Sequence, residues 1–125
     1  MIFAKTLDKL VVQKKKTQTR RPKKDGEYCV RDEDGNIIAV YTASGRLKYK
    51  VGNDYAIVPG RGKHGIKSHR ILMQRIREEA FGEISEQDAI AEGFSSRDEF
   101  FAIWRELYGD WQPDLWAYDI DTIEK

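Results

Sequence analysis

One cysteine, two histidines and three prolines are all that the 125 residues contain of these types. Cys29 alone excludes an internal disulfide, and with only His64 and His69 beside it no zinc-finger spacing can be assembled, so neither a metal nor a cofactor is expected. Long apolar runs are missing too: the longest, Ile37 to Tyr41, falls far short of the ~20 residues that span a bilayer. The opening stretch Met1 to Val12 is broken by Lys5, Asp8 and Lys9 and so lacks the uninterrupted apolar core of a signal peptide. These absences predict a soluble, cytoplasmic protein with no membrane partner.

Net charge is scarce as well. The 22 Lys and Arg nearly cancel the 21 Asp and Glu, which excludes both a disordered acidic tail and a uniformly basic coat. The average hides a gradient: residues 1–24 carry nine cations against one acid, residues 25–77 ten against six, and residues 78–125 three against fourteen. Each block mixes its charges with apolar periodicity, so the chain reads as a folded electric dipole that steers a polyanion toward its amino-terminal side. With 40% hydrophobic and 11% aromatic content, a single domain over 1–125 is expected, burying roughly 65% of the surface of the unfolded chain. A monomer is the favoured state.

Ile2-Phe3-Ala4 reads as a short strand, and Leu7, Leu10 and Val11 as one face of a short helix ending near Gln13. The basic run Lys14-Lys15-Lys16 leads into Thr17-Gln18-Thr19-Arg20, whose threonines favour extended backbone until Pro22 removes a donor. Strands at Tyr28 to Arg31 and Asn36 to Thr42 flank an Asp-Gly turn; further strands are expected at Leu47 to Val51, Tyr55 to Val58 and Ile66 to Ile76. Ser85 with Asp88, and Ser96 with Glu99, are start signals for two helices stopped by Gly93 and Gly109. Phe100, Ile103, Trp104 and Leu107 form the apolar stripe of the second. A last strand alternates through Trp116, Tyr118 and Ile120. The pattern predicts an α+β fold, a small β-barrel flanked by short helices.

The residues Lys16-Thr17-Gln18-Thr19-Arg20-Arg21, Val51-Gly52 with Tyr55-Ala56, Pro59-Gly60-Arg61-Gly62-Lys63, Ile84-Ser85-Glu86, Ala91-Glu92-Gly93-Phe94 and the closing Trp116 together resemble an ASCH domain, of the PUA-like group of β-barrels. The likeness runs over nearly the whole chain, with Tyr28 to Tyr49 as a hairpin added relative to the shortest members. The family motif is a Gly, any residue, a Lys, and an Arg five positions after that Lys. Lys16 and Arg21 satisfy it, whereas Lys14 stands in the place of the Gly. A left-handed turn there costs about a kcal/mol of backbone strain unless the chain takes another path.

The resemblance implies recognition of RNA or a nucleoside in a cleft between barrel and helices. It also implies, by likeness to short members that remove the acetyl group from acetylcytidine, catalytic roles for Lys16, Thr19 and Glu92. Other members are RNA-binding or ribonucleolytic, so a non-catalytic RNA-binding module and a ribonuclease stand as alternatives. A threonine hydroxyl is a poor nucleophile unless a base takes its proton, and a neutral lysine amine serves when its pKa falls from about 10.4 toward ~7 to 8. That requires a desolvated cleft, since exposed, screened charges do not supply such a shift. Residues three apart on a regular strand face opposite ways, so Lys16 and Thr19 converge only if the backbone between them is irregular.

Glu92, in the last turn of a helix, sets a carboxylate against the negative end of the helix dipole, contrary to local preference. Each residue also has a plainer reading: Lys16 in a solvated basic run, Thr19 as an ordinary strand residue, Glu92 as a surface charge. Arg21 is placed to hold the loop or an anionic group, and Arg61 and Lys63 to bind substrate phosphate in their glycine-rich loop. Trp104 falls on the helix stripe and reads as core, while Trp111 is uncommitted.

Overall fold

In the computed structural model, which describes residues 1–3 and 7–125, ten elements follow one another. They are α1 (Leu7–Val12), β1 (Gln18–Pro22), β2 (Tyr28–Arg31), β3 (Ile37–Tyr41), β4 (Leu47–Lys50), β5 (Asp54–Ala56), β6 (His69–Glu79), α2 (Glu86–Ala91), α3 (Arg97–Tyr108) and β7 (Leu115–Glu124). Both serine start signals act as read. Ser85 accepts from the Asp88 N–H and Ser96 from the Glu99 N–H, satisfying donors that a helix start leaves unpaired. Of the expected first strand, Ile2 makes a single bridge to Val58, and Ala4 lies outside the described residues.

The strands form one antiparallel sheet in the order β1-β7-β6-β3-β2, with β4 added on β3 and β5 on β6. The fold is α+β, as expected, but the sheet does not close into a barrel: among the described residues β7 is the sole strand partner of β1. Pro22 ends β1 without an N–H to donate, and the open side of this strand is given over to the polar cluster described below. Segment 28–49 builds β2, β3 and β4, joined to β6 by the single pair Ile37↔Ile76.

Alternation along β7 divides the molecule into two cores. Trp116, Tyr118 and Ile120 face the larger, with Phe3, Val11, Ile71, Met73 and Ile76. Leu115 faces the smaller, where Ile84 and Ala89 meet Phe100 and Trp104 of α3. A register shift between Met73 and Arg75 keeps Ile71, Met73 and Ile76 on one face although their numbers change parity. β6 runs three residues later than its expected span of Ile66 to Ile76. Its second half is charged, Arg75, Arg77, Glu78 and Glu79, and these residues pair with β7 without leaving a hydrophobic signature.

Lys14 turns the chain through the left-handed region that favours glycine. Lys14 has φ 60°, and the N–H groups that follow α1 return to Val11 and Leu10 carbonyls. The strain is therefore present, and Lys14→Gly is expected to raise stability by about 1 kcal/mol, or roughly 3 to 5 °C in Tm, read by thermal unfolding. A destabilised glycine variant contradicts this reading of the turn.

Tyr118 offers a second test. Its side chain is fully buried against Tyr49, and its hydroxyl has no hydrogen-bond partner among the described residues. Burial first, then the nearby Tyr49 and Glu27, hold its pKa far above the ordinary 10.0. The folded state thus keeps a proton that the unfolded chain releases, so the contribution of this group is complete below pH 10.0 and is lost as pH rises beyond it. Tyr118→Phe is expected to be neutral or stabilising by up to about 1 kcal/mol at neutral pH and to flatten the alkaline limb of a pH-stability curve.

Candidate active site

Three elements place the candidate residues. After α1, Lys14 reverses the chain and Lys16 precedes β1, outside regular strand; Thr17 then ties α2 to the sheet by donating to the Ala91 carbonyl and accepting from the Ile120 N–H. The irregular backbone needed between Lys16 and Thr19 is present. At the end of α2, Glu92 is the C-cap residue and Gly93 follows at φ +101°. A side chain at 93 would also meet Leu10 of α1 at 3.0 Å, so glycine is required here twice over.

Lys16 and Glu92 are both buried, at 2% and 4% exposure. The Lys16 ammonium donates to Glu92 Oε1 at 2.7 Å, to the Glu92 carbonyl at 2.7 Å and to the Gln18 carbonyl at 2.8 Å. The dipole penalty on Glu92 is thereby offset, because one ammonium neutralises its carboxylate and caps its carbonyl. Burial pulls the Lys16 pKa below the usual lysine value; Glu92 opposes the shift, and Arg21 and Arg20 reinforce it.

Arg20 completes the cluster. Its guanidinium reaches Glu92 Oε2 at 3.1 Å, Asp88 Oδ2 at 3.1 Å, Gln18 Oε1 at 2.9 Å and both oxygens of Glu79. Burial alone would lower its pKa, but the hydrogen bonds and charges of Glu79 and Glu92 outweigh that and hold it above the ordinary arginine value. Arg77 extends the network, 3.9 Å from Asp88 and 3.5 Å from Asp119.

Above this cluster lies a small hollow of about 50 Å³, well below the size of a small-molecule cleft. Lys16, Thr19, Arg20, Arg21 and Glu92 line its polar side, and Phe94, Phe100, Trp104 and Tyr108 its aromatic side. Thr19 is 2% exposed and lies on the same polar side as Lys16 and Glu92. Arg21, half-buried, donates to the Ile2 carbonyl at 2.7 Å and lies 5.3 Å from the Phe3 ring, holding the start of the chain against the rim.

Of the residues singled out from sequence, Lys16, Thr19, Glu92 and Arg21 therefore share one hollow. Arg61 and Lys63 do not: they are exposed in a separate turn, closed by the Lys63 N–H on the Gly60 carbonyl. Trp104 is buried, as expected, and also walls the hollow; Trp111 is exposed and accepts the Trp104 indole N–H through its carbonyl. Arg20, Asp88 and Glu79 escaped sequence reading because a charge within a run of charges looks solvated. Among the described residues no group of three or more His, Cys, Asp or Glu is arranged to hold a metal, and no helix is long and apolar enough to cross a membrane.

No protein-family model matches the chain, and no match is found among curated proteins. Solved structures do share its fold. A protein from Enterococcus faecalis described by the family model DUF984 superposes with a TM-score of 0.59 at 19% identity, covering 94% of this chain and 70% of that one. A crystal structure of an ASCH domain from Lactobacillus crispatus does so with a TM-score of 0.58 at 16% identity, covering 99% of this chain and 80% of the other.

Proposed function

We propose that this chain, which has the fold of an ASCH domain, binds a nucleoside in the hollow beside β1 and hydrolyses an amide on it, of the acetylated-cytidine type. The observation that carries this reading is that Thr19, Lys16 and Glu92 line one hollow, with burial lowering the pKa of the Lys16 amine. Entry of a planar base requires the aromatic wall to move outward, and it expels water, which favours the neutral form of the Lys16–Glu92 pair.

The steps then balance. The Lys16 ammonium passes a proton to Glu92 along their 2.7 Å bond. The freed amine takes the Thr19 proton as Oγ attacks the acetyl carbon, the C–N bond breaks, and the Glu92 carboxyl protonates the departing exocyclic amine. Arg21 supplies positive charge beside the carbonyl oxygen. Repeating the proton transfer lets Lys16 activate water, which cleaves the threonine ester; acetic acid leaves and Thr19 regains its proton from Glu92.

A non-catalytic RNA-binding module is the second reading, favoured by one observation: all three protons of the Lys16 ammonium are already engaged, which suits a structural ion pair. The discriminating experiment measures acetate release across acylated cytidines, with RNA cleavage as a control and RNA affinity followed against salt. Turnover that disappears in Lys16→Ala and Glu92→Ala supports the hydrolase. Steeply salt-dependent RNA binding that survives Lys16→Ala, with no turnover, supports the binder, and RNA cleavage in the control points instead to a ribonuclease.

A further inference from the structure

Strands β2, β3 and β4 present two unlike faces. Cys29, Val40 and Tyr49 form one cross-strand row and pack toward the larger core. The rows on either side, Tyr28 with Tyr41 and Leu47, and Val30 with Ala39 and Lys50, therefore point to the outside of the sheet. Tyr28, Val30 and Leu47 are exposed there, and apolar side chains gathered in one exposed patch mark a binding surface. The Tyr28 and Tyr41 rings stack, 5.4 Å between centroids and 10° from parallel. The pair is thus set in advance, and Tyr28, 45% exposed, offers its ring to a further planar group.

The patch adjoins a groove of about 700 Å³, the size of a small-molecule cleft. The groove exists because β3 meets β6 at the single pair Ile37↔Ile76 and Gln74 is an extra residue in β6, so the two strands part. Its lining residues Arg31, Ile38 and Val51 are chain neighbours of Val30, Ala39 and Lys50, which joins groove and patch; Asn36, Gln74 and Arg75 line it as well. Its two acids are engaged: Asp32 accepts two turn N–H groups, and Glu78 faces Arg31 and Lys23. Arg75 is exposed and, like Lys50 and Arg46 beside the tyrosine rows, has no carboxylate partner among the described residues.

We infer that this outer face binds a single-stranded polynucleotide, its bases stacked on Tyr28 beside Val30 and Leu47 and its phosphates met by Arg75, Lys50 and Arg46. Aromatic stacking next to unpaired cations is the combination that holds single strands with little regard to sequence. A second copy of the chain fits less well. Three strands of four or five residues present roughly 250 Å², against about 800 Å² that each partner gives to a stable protein interface. Glu33 and Asp34 lie in the β2–β3 turn, at the end remote from the tyrosines, and keep phosphates toward β4 and β6. The face shares no lining residue with the hollow beside β1 and is independent of the hydrolytic reading.

The test titrates the full chain with a short fluorescein-labelled oligouridine, its deoxy counterpart and an abasic strand of equal charge. Tyr28→Ala is expected to weaken RNA binding at least about fivefold, whereas Tyr28→Phe, which keeps the ring, binds as the unaltered chain does. The abasic strand should bind the unaltered chain at least about fivefold more weakly than RNA. Arg75→Gln is expected to reduce the slope of log affinity against log salt by about 0.7, and Lys16→Met to leave affinity unchanged. Thermal unfolding verifies that each variant is folded. Tighter binding of RNA than of DNA supports a site that reads the 2′-hydroxyl, and equal binding supports one that reads base and phosphate alone. Binding of neither strand overturns the inference, as does binding that Lys16→Met abolishes while Tyr28→Ala and Arg75→Gln leave it intact. A dimer of the unaltered chain that Tyr28→Ala renders monomeric assigns the face to a second copy and overturns it too. Acetate release is measured separately, so the hydrolytic reading stands or falls on its own.

Discussion

Glu92→Ala is expected to cost about 3 to 5 kcal/mol of folding stability, lowering Tm by roughly 10 to 20 °C. The substitution removes the sole carboxylate bonded to the Lys16 ammonium among the described residues, and the Lys16 side chain is only 2% exposed to water. Arg20 loses less, since Glu79 and Asp88 still hold it. Removing one partner of a buried pair strands the other charge, while replacing the cation by an apolar group of like shape does not. Lys16→Met is accordingly expected to be far milder, because Glu92 keeps Arg20 at 3.1 Å. The double variant Lys16→Met/Glu92→Ala should recover most of the loss, a coupling that a double-mutant cycle of denaturant unfolding measures directly. Additive losses would mean that the pair is not the unit described.

The same Lys16→Met variant is expected to lose acetate release by about 10²- to 10⁴-fold while remaining folded, the range for deleting a general base. The sign of the pH dependence follows from the direction of the shift. Burial, partly opposed by Glu92, sets the folded pKa of Lys16 below its ordinary 10.5, so the neutral amine grows in as pH rises toward that value. Activity should rise with pH on a limb that belongs to the Lys16–Glu92 pair and not to either residue alone. Lys16→Met should abolish that limb. Stability follows the same sign: between the lowered pKa and 10.5 the unfolded chain binds more protons than the folded one, so this group adds stability as pH increases. A pH-rate profile unchanged in Lys16→Met excludes the amine from the reaction.

Local signals carried most of the architecture. The two serine caps, the glycine stops at 93 and 109 and the alternation through Trp116, Tyr118 and Ile120 each act over a few residues, and each appears in the structure as read. Closure of the sheet is a long-range property that strand spacing does not encode, and here, among the described residues, β1 has β7 as its sole strand partner. The site was legible where a residue stood against its local preference: Glu92 at a helix end, and Lys14 at a left-handed turn. Arg20 broke no local rule. Its four polar partners come from β1 itself, from β6 and from α2 and its cap, and only the packing of α2 and β6 on β1 reveals a buried network in place of a solvated basic run. Arg61 and Lys63 stood out because a glycine-rich turn resembles a phosphate cradle wherever it lies in the fold, and theirs lies apart from the hollow.

The central claim is that Thr19, which lines one hollow with the buried amine of Lys16, attacks the amide carbon. Acetate release from N4-acetylcytidine, compared among the unaltered chain, Thr19→Ser and Thr19→Ala, tests it most directly. The account predicts turnover by the first two and a loss of at least about a hundredfold in the third, with all three equally folded. Turnover by Thr19→Ala at the rate of the unaltered chain contradicts it.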